Sequence, residues 1–148
     1  MSLHFYSYAR KGYEFIEDVS IKLNTTDTDK AGRMIRCVLR SIRNRLTNEE
    51  SFGLLAQLPM ALKAIYADGW KFSLKFQKIN SLDDFIAEVI KEDKNSGWND
   101  FSNVREASAA IVAVFQALLH QKSATEAEFI KNLLPSELKS LLTHELRF

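Results

Sequence analysis

The sequence predicts an all-α fold of about eight helices, a tandem repeat of two homologous four-helix units sharing a core. Three observations carry that expectation. Only five glycines and two prolines occur in 148 residues, too few for the tight turns of a strand meander. Apolar residues recur at three- and four-residue steps through most of the chain. Caps and breakers of the first half also return in the second at a fixed offset.

A first helix over 12–23 turns Phe15, Ile16, Val19 and Leu23 inward, with Gly12 interrupting its first turns. A second, from Thr28 to about Arg45, carries Ala31, Met34, Ile35, Val38, Leu39, Ile42 and Leu46 on one face. Asp27 or Thr28 caps its start. Thr47-Asn48-Glu49-Glu50 is a capping box that opens a third helix, with Phe52, Leu55 and Leu58 as its buried stripe. Pro59 stops that helix near Gln57 and suits the first turn of a fourth. Leu62, Ile65 and Tyr66 line the fourth helix, and Gly69 ends it.

Trp70, Phe72, Leu74 and Phe76 then alternate with Lys71, Ser73, Lys75 and Gln77, which is a strand period. A lone strand has no ladder partner. The segment is therefore expected to be an extended connector pinning aromatics on the bundle. The alternative is a short strand pairing with residues 3–6 or with another subunit. Ser81-Leu82-Asp83-Asp84 starts a fifth helix with Leu82, Phe85, Ile86 and Val89 inward. Ser102 or Asn103 caps a sixth that runs to about Leu119. Ser123-Ala124-Thr125-Glu126 is a second capping box, followed by Phe129, Ile130 and Leu133. Pro135 breaks the chain again before Leu138, Leu141 and Leu142.

Pro59 and Pro135 are 135 − 59 = 76 positions apart. The same offset takes Thr47 to Ser123, Glu50 to Glu126, Leu58 to Leu134, Leu62 to Leu138 and Val38 to Val114. Phe15-Ile16-Glu17-Asp18-Val19 matches Phe85-Ile86-Ala87-Glu88-Val89 at 85 − 15 = 70, which implies an insertion of six residues near 96–101. The expected organisation is an aromatic N-terminal segment (1–11), a first helical repeat (12–70), a connector (71–80) and a second repeat (81–148). A helical unit of this size leaves an apolar face open, and its copy is the natural cover.

Arg36-Cys37-Val38-Leu39, Ile42-Arg43-Asn44-Arg45-Leu46-Thr47, Glu50, Leu55-Ala56-Gln57-Leu58-Pro59, Tyr66 and Gly69-Trp70 form a longer pattern. An early Phe-x-x-x-Val, Phe15 and Val19, recurs as Phe85 and Val89. Leu134-Pro135 with Leu138 repeats the Leu-Pro-x-x-Leu. The pattern resembles a bacterial family catalogued as domain of unknown function 2267, over nearly the whole chain after Gly12. That resemblance implies a small helical cytoplasmic protein and transfers no catalytic residues. The aromatic N-terminus and the alternating connector depart from the pattern.

Composition narrows the function. A net charge of +1 excludes a globally basic nucleic-acid binder but not a local basic patch. Cys37 is the single cysteine, so no intrachain disulfide can form. No apolar run approaches the ~20 residues that cross a bilayer, and the N-terminus lacks a signal-peptide run. A cytoplasmic location without membrane contact is expected.

His4, His120 and His144 show no zinc-binding spacing. Cys37 has no signature base. Glu49-Glu50 and Asp83-Asp84 are explained by capping and the helix dipole. No glycine-rich phosphate cradle follows a strand. These absences point away from an enzyme, a metal or a cofactor. The second helix carries Lys30, Arg33, Arg36, Arg40, Arg43 and Arg45 in a window without acids. At 100° per residue, Arg33, Arg36, Arg40 and Arg43 fall in a sector of roughly 80° opposite the apolar stripe. They are the candidate binding residues, suited to phosphates or carboxylates. The plainer alternative pairs them with acids on neighbouring helices. At the 76 offset they become Ala109, Val112, Gln116 and Leu119, so the sixth helix is expected to be central and buried.

The expected function is a non-catalytic interaction module that binds an unknown protein partner or a second copy of itself, through aromatics near Tyr6 and Trp70. Anion or nucleic-acid binding by the arginines is the alternative.

Overall fold

The computed structural model describes residues 3–72, 77–120 and 122–145. Among them are eight α-helices and no strand: α1 (Phe5–Lys22), α2 (Thr28–Arg43), α3 (Asn48–Ala56), α4 (Met60–Ala67), α5 (Leu82–Ser96), α6 (Val104–Leu119), α7 (Ala124–Asn132) and α8 (Ser136–Glu145).

The helix starts follow the capping chemistry. Asp27 accepts from the Lys30 backbone N–H, Ser81 from Asp84 and Asn103 from Glu106. Thr47 and Ser123 form reciprocal capping boxes with Glu50 and Glu126. Each satisfies backbone donors that a helix start leaves without intrahelical acceptors. Gln57 ends α3 immediately before Leu58-Pro59. Gly97, at φ 82°, closes α5 in the left-handed region, where a residue without Cβ is not strained.

Three expectations need correction. The first helix begins at Phe5 rather than near Gly12. Gly12 is not a break. It is a buried crossing point, where a Cβ would lie 2.8 Å from the Ala61 Cβ of α4. Phe5 and Tyr6 are helical, so residues 3–6 offer no strand for the connector to pair with. The buried stripe of α3 is Ser51, Leu54 and Leu58, with Leu55 partly covered, while Phe52 is 51% exposed. Ser51, a polar residue, hides this stripe in the sequence, yet its hydroxyl lies 2.7 Å from the buried Tyr66 hydroxyl. Phe129 and Leu141 likewise sit at the surface. Of the alternating connector, residues 73–76 lie outside the described residues, and 70–72 and 77–80 carry neither helix nor strand.

The core is built on two long helices. In α6, Ala107, Ala110, Ile111, Ala113, Val114, Phe115, Ala117, Leu118 and Leu119 are all buried, as its nearly continuous apolar run requires. In α2, Ile35, Val38, Leu39 and Ile42 face inward. These two helices pack on each other. In addition, α1 packs on α6 while α5 packs on α2; α1 packs on α2 while α5 packs on α6; α2 meets α4 while α6 meets α8; and α1 meets α4 while α5 meets α8. Helix starts are evenly displaced: 104 − 28, 124 − 48 and 136 − 60 are each 76.

Candidate functional site

Because α2 buries one side against α1, α5 and α6, its arginines are left on the outer side. The structure brings all four candidates onto one face, then engages three of them within the molecule. Arg33 forms a fork with Asp100: Nε and Nη2 each donate at 3.0 Å to its two carboxylate oxygens. That pairing raises the guanidinium pKa above its ordinary value. The Arg33 Cζ also lies 4.4 Å from the centre of the Trp98 ring, a cation–π distance. Asp100 is placed by a second carboxylate. Asp93, only 3% exposed, accepts from the backbone N–H groups of Asp100 and Phe101 at 2.9 and 3.0 Å.

Arg43 donates from Nη1 to the carbonyl oxygens of Tyr66 at 2.8 Å and Asp68 at 2.7 Å. It thereby covers carbonyls at the C-terminal end of α4, where a cation is favoured. Burial, then the neighbouring Arg40, lowers its pKa. Arg40 reaches Asp68 with one bond at 3.1 Å, and its Nε–H is buried without an acceptor. Just past the helix, Arg45 grips Asp84 through two bonds and approaches Glu88 at 3.6 Å. Burial would lower the Arg45 pKa, but the two carboxylates outweigh it and the net shift is upward. Arg36 alone of the face is exposed rather than half-buried, with no hydrogen bond or ion pair among the described residues.

Arg33, Arg36 and Arg40 border two depressions. One, of about 600 Å³, lies between α1, α2 and α4 and is mainly apolar. The other, of about 240 Å³, lies towards α5 and is lined by Cys37, Glu92, Ser96 and Trp98. Cys37 is buried, with its thiol 3.2 Å from the Val89 carbonyl oxygen. Burial, reinforced by Asp93 and Glu92, pushes the thiol up to about 12, so it is no ready nucleophile at neutral pH. Among the described residues, no group of three His, Cys, Asp or Glu side chains could hold a metal ion. No helix there is long and apolar enough to cross a membrane.

A second surface feature is aromatic. Phe52, Trp70 and Phe72 form a three-ring cluster with centroid separations of 5.1, 5.7 and 5.1 Å. Trp70 is half-buried against Tyr66, while Phe52 and Phe72 are 51% and 68% exposed. On α1, Tyr6 and Tyr13 are also open to solvent. Sequence reasoning found the Trp70 region but missed Phe52, which it assigned to the core. It also missed Trp98, Asp100 and Asp93. Trp98 and Asp100 lie in the loop where the offset between the halves changes from 70 to 76, which is the one sequence signal that marks it.

Fold and surface together define an all-helical scaffold whose arginines mostly brace its own helices. The chain belongs to the DUF2267 family, described as an uncharacterized conserved protein, and the match spans residues 12–141. No curated protein matches it.

Proposed function

We propose that this protein is a cytoplasmic, non-catalytic interaction module that binds a protein partner or a second copy of itself through exposed aromatic side chains. One observation carries the proposal: Phe52 and Phe72 are held outward, ring to ring with Trp70. Clustered exposed aromatics are what interfaces enrich and isolated surfaces avoid. Replacing Phe52→Ser and Phe72→Ser together should abolish association seen by light scattering or cross-linking while leaving helix content intact. A wild-type chain that is strictly monomeric and engages no protein would refute the proposal.

A second reading is anion or nucleic-acid binding by Arg33, Arg36, Arg40 and Arg43. Its support is the unspent guanidinium of Arg36 beside the incompletely bonded Arg40. Binding to phosphate and to duplex or single-stranded nucleic acid should then fall with salt and be lost on Arg36→Glu. No binding at low salt removes it.

Behind both lies a proposed origin by duplication of one four-helix unit. The equal displacement of three helix starts supports it, as do four matching pairs of helix contacts when α1, α2 and α4 are traded for α5, α6 and α8. So does Gly53, on which a Cβ would collide with the ring of Phe129, its own equivalent at 129 − 53 = 76. Equivalent positions meet only near a two-fold axis. Replacing Thr47 through Pro59 with Ser123 through Pro135 in place should leave a cooperatively folded chain once Phe129 is trimmed to Ala. Failure to fold would count against equivalence.

A further inference from the structure

The 600 Å³ groove has a size typical of small-molecule pockets, which span roughly 300–1,000 Å³. Ile16 of α1, Ile35 of α2, and Leu62 and Ile65 of α4 make it largely apolar. Its rim is charged but unevenly committed. Arg33 is already forked to Asp100. Arg40 has one bond to an aspartate that is itself 72% exposed, and its Nε–H has no acceptor. Arg36 has none at all among the described residues. With Arg33 spent on Asp100 and Arg40 bonded to Asp68, Arg36 is the one lining arginine with no carboxylate partner among the described residues.

A single uncommitted guanidinium matches one carboxylate better than a polyanion, and the apolar walls match a ligand that is mostly hydrocarbon. We infer that the groove binds an amphipathic monocarboxylate. Its chain lies along Ile16 and Ile65, the two lining isoleucines that keep partly exposed surface, and its carboxylate meets the fork of Arg36. Arg40 turns from Asp68 to share the carboxylate, which gives its stranded N–H an acceptor. A guanidinium presents two parallel donors to a carboxylate, and that pairing strengthens at the edge of a water-poor groove. This inference rests on the second reading above and narrows its ligand class.

Calorimetry on the full chain with sodium decanoate, below its micelle concentration, tests it against acetate, 1-decanol and inorganic phosphate. Decanoate should bind at least about tenfold more tightly than acetate or decanol, since both ends of the ligand contribute. Arg36→Gln should weaken decanoate by about tenfold without moving the melting temperature, because the side chain is exposed and has no partner to lose. Ile65→Ser should weaken decanoate and leave acetate unchanged. Decanoate no tighter than acetate, or indifferent to Arg36→Gln, overturns the inference. If phosphate or nucleic acid still binds in an Arg36-dependent way, only the ligand class falls; if no anion binds, the second reading falls with it.

Discussion

Gly53 and Phe129 show how one atom decides a contact. A Cβ at residue 53 would occupy space already filled by the Phe129 ring. Gly53→Ala forces the surface ring of Phe129 to swing aside, a loss set against the up to about 1 kcal/mol that alanine adds to helix propensity, so the net change should be small. With the ring removed by Phe129→Ala, Gly53→Ala should become more favourable than it is in the wild-type chain. A double-mutant cycle of thermal melts measures the coupling, and an equal effect of Gly53→Ala with and without Phe129→Ala would show that the ring does not rest there. The same physics explains Gly12, whose place in the pattern reads as an interruption and in space is a close approach of α1 to α4.

Helix starts depend on single hydroxyls and carboxylates. Thr47→Ala should cost about 1 kcal/mol through the lost cap on α3, visible as a lower melting temperature. Acid should act on the same positions. Backbone and side-chain bonds from Ser102 hold Glu106 below its ordinary 4.5, and the Ser123 box does the same for Glu126. Arg45, then the Asn80 backbone, holds Asp84 below its ordinary 3.8. A carboxylate depressed in the folded state stabilises it fully above the unfolded value, and that support fades as pH falls through the folded value. Denaturant midpoints should thus be flat above the ordinary carboxylate range and decline below it. Asp84→Asn should make the decline shallower. A midpoint that rises on acidification would contradict these assignments.

The whole molecule is held by exchange between its halves. The first helix of each half packs on the long central helix of the other, α1 on α6 and α5 on α2. Arg33 of α2 and the two residues just past that helix add ties in the same direction, from Arg33 to Asp100, Asn44 to Glu88 and Arg45 to Asp84. From the other half, Lys122 reaches the Gln57 carbonyl oxygen at 2.7 Å. A fragment of residues 1–72 leaves the apolar faces of α1 and α2 uncovered. Circular dichroism and sedimentation should find it unfolded or self-associated, regaining a cooperative melt only when mixed with the remainder. A stable, cooperatively melting monomer from that fragment would mean that the halves do not depend on each other.

Local chemistry was legible because it acts within a few residues. The caps at Asp27, Thr47, Ser81, Asn103 and Ser123, the break at Pro59 and the buried face of α6 all follow from spacing that the chain carries in itself. That Arg33, Arg36, Arg40 and Arg43 share a face also follows from helical geometry alone. What those arginines touch does not. Asp100 lies 67 residues from Arg33, and Asp68 lies 28 from Arg40. No periodicity relates them, and only the packing of α4 and α5 beside α2 brings them within reach. Phe52 turned outward for the same kind of reason: its helix had several apolar faces to offer, and the neighbours it met, Tyr66 above all, chose the one holding Ser51 and Leu54. Sequence by itself determined where seven of the eight helices begin, because a start is a short-range matter of capping hydrogen bonds and periodicity. Tertiary structure decided which charges were spent and that Arg36 was not, because pairing depends on surfaces that meet only after the chain has folded.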